Sequence, residues 1–171
     1  MNKSRDIKVA KLTLNIGAGK STDKLEKGLK LLSMLTDNNP VKTKAKKRIA
    51  GWGIRPGLPI GCKVTVRGPK AAELLKQLLG ALDNKLKEKQ FDNEGNIAFG
   101  IREYIDIPGV EYDPEIGVLG LQVCATLERQ GFRIKKRRLK TRKLGLKHRI
   151  SKEEAMEYMK SNFAVEFEEG R

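Results

Sequence analysis

The stretch IKVAKLTLNIGAGKSTDKLEKGLKLLSMLT, residues 7–36, decides the fold. Its opening places Ile7, Val9, Leu12, Leu14 and Ile16 in imperfect alternation with Lys8, Lys11, Thr13 and Asn15, the period-two pattern of a strand with one buried face. The slip between Val9 and Leu12 marks a bulge. Gly17 and Gly19 stop the strand. Asp23 with Glu26 is the expected cap of a helix running through Thr36, whose Leu25, Leu29, Leu32 and Leu35 recur on one face.

The same unit recurs further along. Residues 61–67 read as a strand, and Gly68-Pro69 opens a helix carrying Ala71, Leu74, Leu75, Leu78, Leu82 and Leu86 at helical spacing. A turn over residues 92–96 leads into a short strand near 97–101, and residues 119–127 form the best later strand. Pro108, Gly109, Pro114 and Gly117 make the segment between them irregular. Ser151 and Glu154 form a capping box for a helix through Met159, and residues 163–167 suit a last strand. At 171 residues the chain can bury one sizeable core, so a single domain over residues 1–171 is the default.

Charge points to the partner class. Lys and Arg number 36 against 21 Asp and Glu, a net charge of +15. Ten of the seventeen residues in 133–149, RIKKRRLKTRKLGLKHR, are basic and none is acidic. Such a surface binds a polyanion, with nucleic acid the first candidate and anionic lipid the second. The alternative for the tract itself is a solvated basic tail. A second basic feature, TKAKKRIAGWGIRPGLPIG at 43–61, groups Lys44, Lys46, Lys47, Arg48 and Arg55 around Gly51, Trp52, Gly53, Pro56 and Gly57. Its punctuation predicts a long surface loop over residues 43–60. Trp52 either stacks on a base or sugar or folds back as an apolar plug.

Other signals weigh against alternatives. Cys62 and Cys124 lie in apolar runs and read as reduced thiols packed as small hydrophobes. With His148 as the only histidine, no ordinary multi-ligand Cys/His zinc cluster can be assembled, and no cofactor is expected. The opening MNKSRDIKVAK lacks the apolar core of a signal peptide and no apolar run approaches a membrane span, so a cytoplasmic location without a membrane partner is expected. NIGAGKS tempts a nucleotide-loop reading, but Gly17 is only two residues before Gly19, and the phosphate-loop spacing fails. Asp106, Glu111, Asp113 and Glu115 lie among prolines without a histidine or cysteine neighbour, and read as turn-formers and ion-pair partners of the basic arms rather than catalytic carboxylates.

VKTKAKKRIAGWGIRPGLPIGCKVTVRG (41–68), KLTLNIGAG (11–19), FDNEGNIAFGIREYIDIPGVEYDPEIGVLGLQV (91–123) and KHRISKEEAMEYMKSNF (147–163) together resemble, in order, the blocks of the family of 5S rRNA-binding proteins numbered fifth in the large ribosomal subunit. The basic stretch near the end resembles its archaeal and eukaryotic branch, and the archaeal type is expected. The resemblance implies a non-catalytic α+β domain: a mostly antiparallel sheet covered by helices on one face, with a basic loop and a basic C-terminal arm. It implies a place in the large subunit, where the protein binds 5S rRNA, helps attach it to large-subunit rRNA, meets neighbouring large-subunit proteins and touches peptidyl-site tRNA.

Residue by residue, the resemblance puts Lys8, Lys11, Thr13 and Asn15 against 5S rRNA. Lys8 and Lys11 suit phosphate, and Asn15 suits a ribose hydroxyl or base edge unless it caps the glycine turn. Lys63 and Arg67, on one strand face, extend that surface or are simply solvated. Lys44, Lys46, Lys47, Arg48, Trp52 and Arg55 fall in the part that meets tRNA. Backbone phosphate contacts there let every tRNA be accepted. The arm candidates for rRNA are Arg133, Lys135, Lys136, Arg137, Arg138, Lys140, Arg142, Lys143, Lys147, His148 and Arg149.

Overall fold

The computed structural model describes residues 3–168; residues 1, 2 and 169–171, the ends of the expected domain, lie outside the described residues. β1 (Ile7–Gly17) is the middle strand of a five-stranded sheet. β3 (Pro59–Arg67) and then β2 (Val41–Lys44) lie to one side of it, β6 (Leu121–Arg129) and then β5 (Ile97–Ile101) to the other, and every pairing is antiparallel. The expected bulge is present: the register against β6 shifts between Val9 and Lys11, leaving Ala10 out of step. That one extra residue keeps Val9, Leu12, Leu14 and Ile16 all buried on one face.

α1 (Thr22–Thr36) and α2 (Pro69–Gly80) cover the buried face. The cap of α1 is Ser21 rather than Asp23 and Glu26, because Ser21 is extended and its hydroxyl accepts the Lys24 N–H at 3.3 Å. Gly28 allows α1 to approach the sheet closely, since a Cβ there would stand 3.0 Å from Cys62 Sγ. α2 stops at Gly80, short of Leu82 and Leu86. Asp83 and Asn84 turn the chain at φ of 51° and 57°, and Leu86 instead enters β4 (Lys85–Lys87). α3 (Lys152–Phe163) has the expected capping box, with Ser151 Oγ accepting the Glu154 N–H and Glu154 accepting the Ser151 N–H. Phe163 belongs to α3, so the last strand shrinks to β7 (Glu166–Glu168), which pairs in parallel with β4.

One core joins these elements, with Leu12, Leu14, Leu31, Leu32, Leu75 and Leu78 fully buried. Truncating any of these leucines to Ala costs about 2–5 kcal/mol. Arg129 is the exception on the buried face. It is 7% exposed, donates through Nη2 to Glu154 Oε1 at 2.8 Å and through Nη1 to the Arg149 carbonyl at 3.1 Å, and so ties β6 to α3 and to the end of the arm. Desolvation pushes the Glu154 carboxyl up, but the Ser151 N–H and the Arg129 guanidinium outweigh it and hold the carboxyl below its usual range.

Candidate nucleic-acid interface

Among the described residues, no α-helix covers the face of the sheet opposite α1 and α2. Because side chains alternate along each strand, Lys8, Lys11, Thr13 and Asn15 of β1 share it with Lys63, Thr65 and Arg67 of β3 and with Gln122, Cys124 and Thr126 of β6. All six positions expected to meet 5S rRNA are therefore brought together. The register sets Asn15 beside Lys63, Thr13 beside Thr65 and Lys11 beside Arg67. Asn15 does not cap the glycine turn; its Nδ2 donates to Gln122 Oε1 at 3.2 Å. A shallow depression of about 410 Å³ opens there, lined by Asn15, Gly100, Arg102 and Gln122 among others. Among the described residues, Lys11, Lys63 and Arg67 make no ion pair. The centre of the face is small and uncharged, with Thr13, Thr65, Cys124 and Ala98 in adjoining register.

Cys124 is thus exposed on this face, against the expectation of a packed thiol, because its position in β6 alternates away from the buried Val123 and Ala125. Cys62 is buried as expected, and burial pushes its thiol pKa up.

The expected loop is an extension of the β2–β3 hairpin. Ala45 donates to Leu58 at 2.8 Å, Gly57 donates to Ala45 at 2.9 Å, and Ile49 and Ile54 exchange bonds at 3.0 Å each. A 3-10 turn over Ala50–Trp52 closes the tip, where Gly53 adopts φ +57. Ala45 and Ile54 are buried beneath, while Lys44, Lys46, Lys47, Arg48 and Arg55 are exposed. Trp52 is 68% exposed, which excludes the plug reading. Lys20 lies over Gly53 and adds a cation to the tip, although its place in the sequence suggests only a nucleotide motif.

That motif is spent structurally. The Ala18 and Gly19 N–H groups both donate to the Ile60 carbonyl, at 2.9 and 3.0 Å, so neither faces outward to cradle a phosphate. Two members of the acidic cluster, Asp113 and Glu115, also have a local partner, and it is not the basic arm. Lys30 of α1 bridges Asp113 at 2.8 Å and Glu115, pinning the 102–120 segment to the helix. The hydrogen bond from Lys30 holds the Asp113 carboxyl below its usual range, helped by the Glu115 N–H, and Asp113 in turn raises Lys30. Among the described residues no group of His, Cys, Asp and Glu is arranged to hold a metal ion.

The arm leaves β6 at the end opposite the hairpin. Phe132 is buried, Leu144 half-buried and Ile150 buried, so three apolar anchors hold a loop whose cations face outward. Arg142 N–H donates to Ile134, Arg137 Nε to Lys140 and Thr141 Oγ1 to Arg137. Lys136 pairs with Glu128, and Lys135 with Glu94 at 3.5 Å. Arg133, Arg138, Lys140, Arg142, Lys143, Lys147 and Arg149 are all exposed. His148 is half-buried, sets Nε2 2.8 Å from the Gln130 carbonyl and meets Phe132 edge-on.

A family model described as ribosomal protein L5 matches residues 2–55, and a second model, for the C-terminus of the same ribosomal family, matches residues 59–160. The chain belongs to the ribosomal L5 family. The large ribosomal subunit protein uL5 of Methanosphaera stadtmanae is 51% identical over 160 residues, covering 94% of this chain and 95% of its own. That of Nanoarchaeum equitans is 52% identical over 163 residues, covering 95% and 96%, and that of Sulfurisphaera tokodaii is 47% identical over 171, covering 99% and 97%. Membership in this family makes the chain a ribosomal, RNA-binding structural protein of archaeal type rather than an enzyme. The two matched segments meet in the hairpin, yet their strands interleave in one sheet, since β1 and β2 belong to the first and β3, β5 and β6 to the second. No described helix is long and apolar enough to cross a membrane.

Proposed function

We propose that this chain works in the cytoplasm as a dock between RNAs of the large ribosomal subunit. The open sheet face takes 5S rRNA through Lys8, Lys11, Thr13, Asn15, Lys63 and Arg67. The arm holds it to large-subunit rRNA, and the hairpin touches peptidyl-site tRNA through Lys44, Lys46, Lys47, Arg48, Trp52 and Arg55. Neighbouring large-subunit proteins complete its surroundings.

The observation that supports this reading is the layout along β1. Its Gly17 end lies beside Gly61, from which the hairpin projects, and its Ile7 end pairs with Arg129, after which the arm begins. Eleven strand residues therefore separate two cationic projections by roughly 35 Å, with the helix-free face between them. A face of small polar residues can seat flat against an RNA groove, and rim cations can neutralise phosphates without reading sequence. The test is to incubate the full chain with total RNA from an archaeal cell and sequence what it retains. Strong enrichment of 5S rRNA over other RNAs of similar length is expected; retention in proportion to length alone would refute the assignment.

A further inference from the structure

The arm encloses a cavity of about 290 Å³ lined by Phe132, Leu144 and Ile150 at its base and by Lys135, Arg142, Lys143 and Arg149 at its rim. Glu94 and Thr141 supply its other polar groups. The volume is at the low end for a ligand site, about 300 Å³, which suits one ring system and little more. Its walls are tied together. The 92–96 turn is held by Asp92, whose carboxylate accepts the Glu94 and Asn96 N–H groups at 2.8 and 2.7 Å. Gly95 in that turn packs on Ile150, where a Cβ would stand only 2.7 Å from the isoleucine Cγ2.

We propose that this cavity receives a single unstacked RNA base, and that guanine is the base it prefers. This rests on the reading that the arm meets RNA, and adds to it a base-specific site. An extruded base brings an apolar ring face, which suits Phe132, Leu144 and Ile150, and a phosphate on either side, which suits the four rim cations. Glu94 is what selects among bases. A carboxylate is unfavourable to phosphate, but it accepts two hydrogen bonds side by side. Guanine alone presents two adjacent donors, N1–H and the N2 amino group, on its Watson–Crick edge. Adenine, cytosine and uracil each set an acceptor next to their donor, which the second carboxylate oxygen repels. The Glu94 side chain is 63% exposed and its present partner, Lys135, is a loose 3.5 Å away, so it is free to turn to a ligand.

The probes are seven-nucleotide uridine strands with guanine, adenine, cytosine, uracil or an abasic site at the centre, bound to the full chain and followed by fluorescence anisotropy and by the methyl resonances of Leu144 and Ile150. The guanine strand is expected to bind at least about tenfold tighter than the others, with shifts at both methyl groups. Glu94→Ala is expected to erase that preference and to leave binding of the abasic strand unchanged or slightly tighter, since a negative charge is removed. The Glu94 side chain is largely exposed, so its replacement is expected to preserve folding. Equal binding of all five strands with a steep salt dependence would overturn the base site while leaving the arm as a phosphate-binding element. The same result is expected if the cavity instead takes an apolar side chain of a protein neighbour. No binding of any strand would overturn both readings.

Discussion

Replacing Lys11 and Arg67 together by Thr should weaken RNA binding while leaving the fold as stable as before or more so. These two cations are directly opposite each other in the β1–β3 register and, among the described residues, have no anionic partner. Like charges facing across a strand pair cost about 0.2–1 kcal/mol, and the Thr13–Thr65 pair next to them shows that threonine suits this face. Relieving the repulsion raises Tm by up to about 4 °C for a chain of this size. In the complex the same two residues release counterions, each worth roughly 0.7–0.9 in the slope of log K against log salt. Losing both flattens the slope by about 1.4–1.8, so the affinity gap to the wild type narrows roughly 25- to 60-fold over a tenfold rise in salt. Fluorescence titrations with 5S rRNA at five salt concentrations, paired with thermal melts, measure both quantities. An unchanged slope refutes the face as the RNA surface, and a lowered Tm refutes the repulsion argument.

Alanine at Lys46, Lys47 and Arg48 together should leave 5S rRNA binding intact but reduce tRNA retention by assembled subunits; equal loss of both would contradict the division between hairpin and sheet. Gly61→Ala should destabilise the fold by about 1–3 kcal/mol, because its Cβ would stand 2.6 Å from the Ile16 carbonyl where β1 and β3 meet at the hairpin end of the sheet; chemical denaturation with no loss of stability would show the strands part freely there. Lys30→Met should let the Asp113 carboxyl return towards its usual range. A lowered carboxyl pKa stabilises the fold above its ordinary value and loses that contribution as pH falls through the lowered one, so wild type and variant should converge in acid; a gap constant across the acid range would rule the bridge out.

Long strands and helices are legible in the sequence because their periods are repeated often enough to be unambiguous. The Val9 to Leu12 slip even locates the bulge that places Lys8 and Lys11 on the same face. β4 is not legible, being three residues long, and Leu86 keeps helical spacing with α2 although Asp83 and Asn84 have already turned the chain; β7 is legible only as a last strand begun too early, because Phe163 still belongs to α3. Asp23 looks like the cap of α1 because acidic residues suit a first turn, whereas Ser21 is the residue with extended backbone. Arg129 is hidden when its strand is ended at Leu127; continuing the alternation of Leu121, Val123, Ala125 and Leu127 places a cation on the buried face. The same alternation holds the signal for Cys124. Glu94 and Lys20 have none, because they join their sites only through tertiary packing.

The central claim, that the helix-free face meets 5S rRNA between two cationic projections, is tested most directly by ultraviolet crosslinking of native large subunits with peptide-resolved mass spectrometry. The account predicts 5S rRNA adducts on peptides from Ile7–Gly17 and Pro59–Arg67, and tRNA adducts on residues 44–55 that appear only when the peptidyl site is filled. Adducts of 5S rRNA confined to α1 and α2 would contradict it.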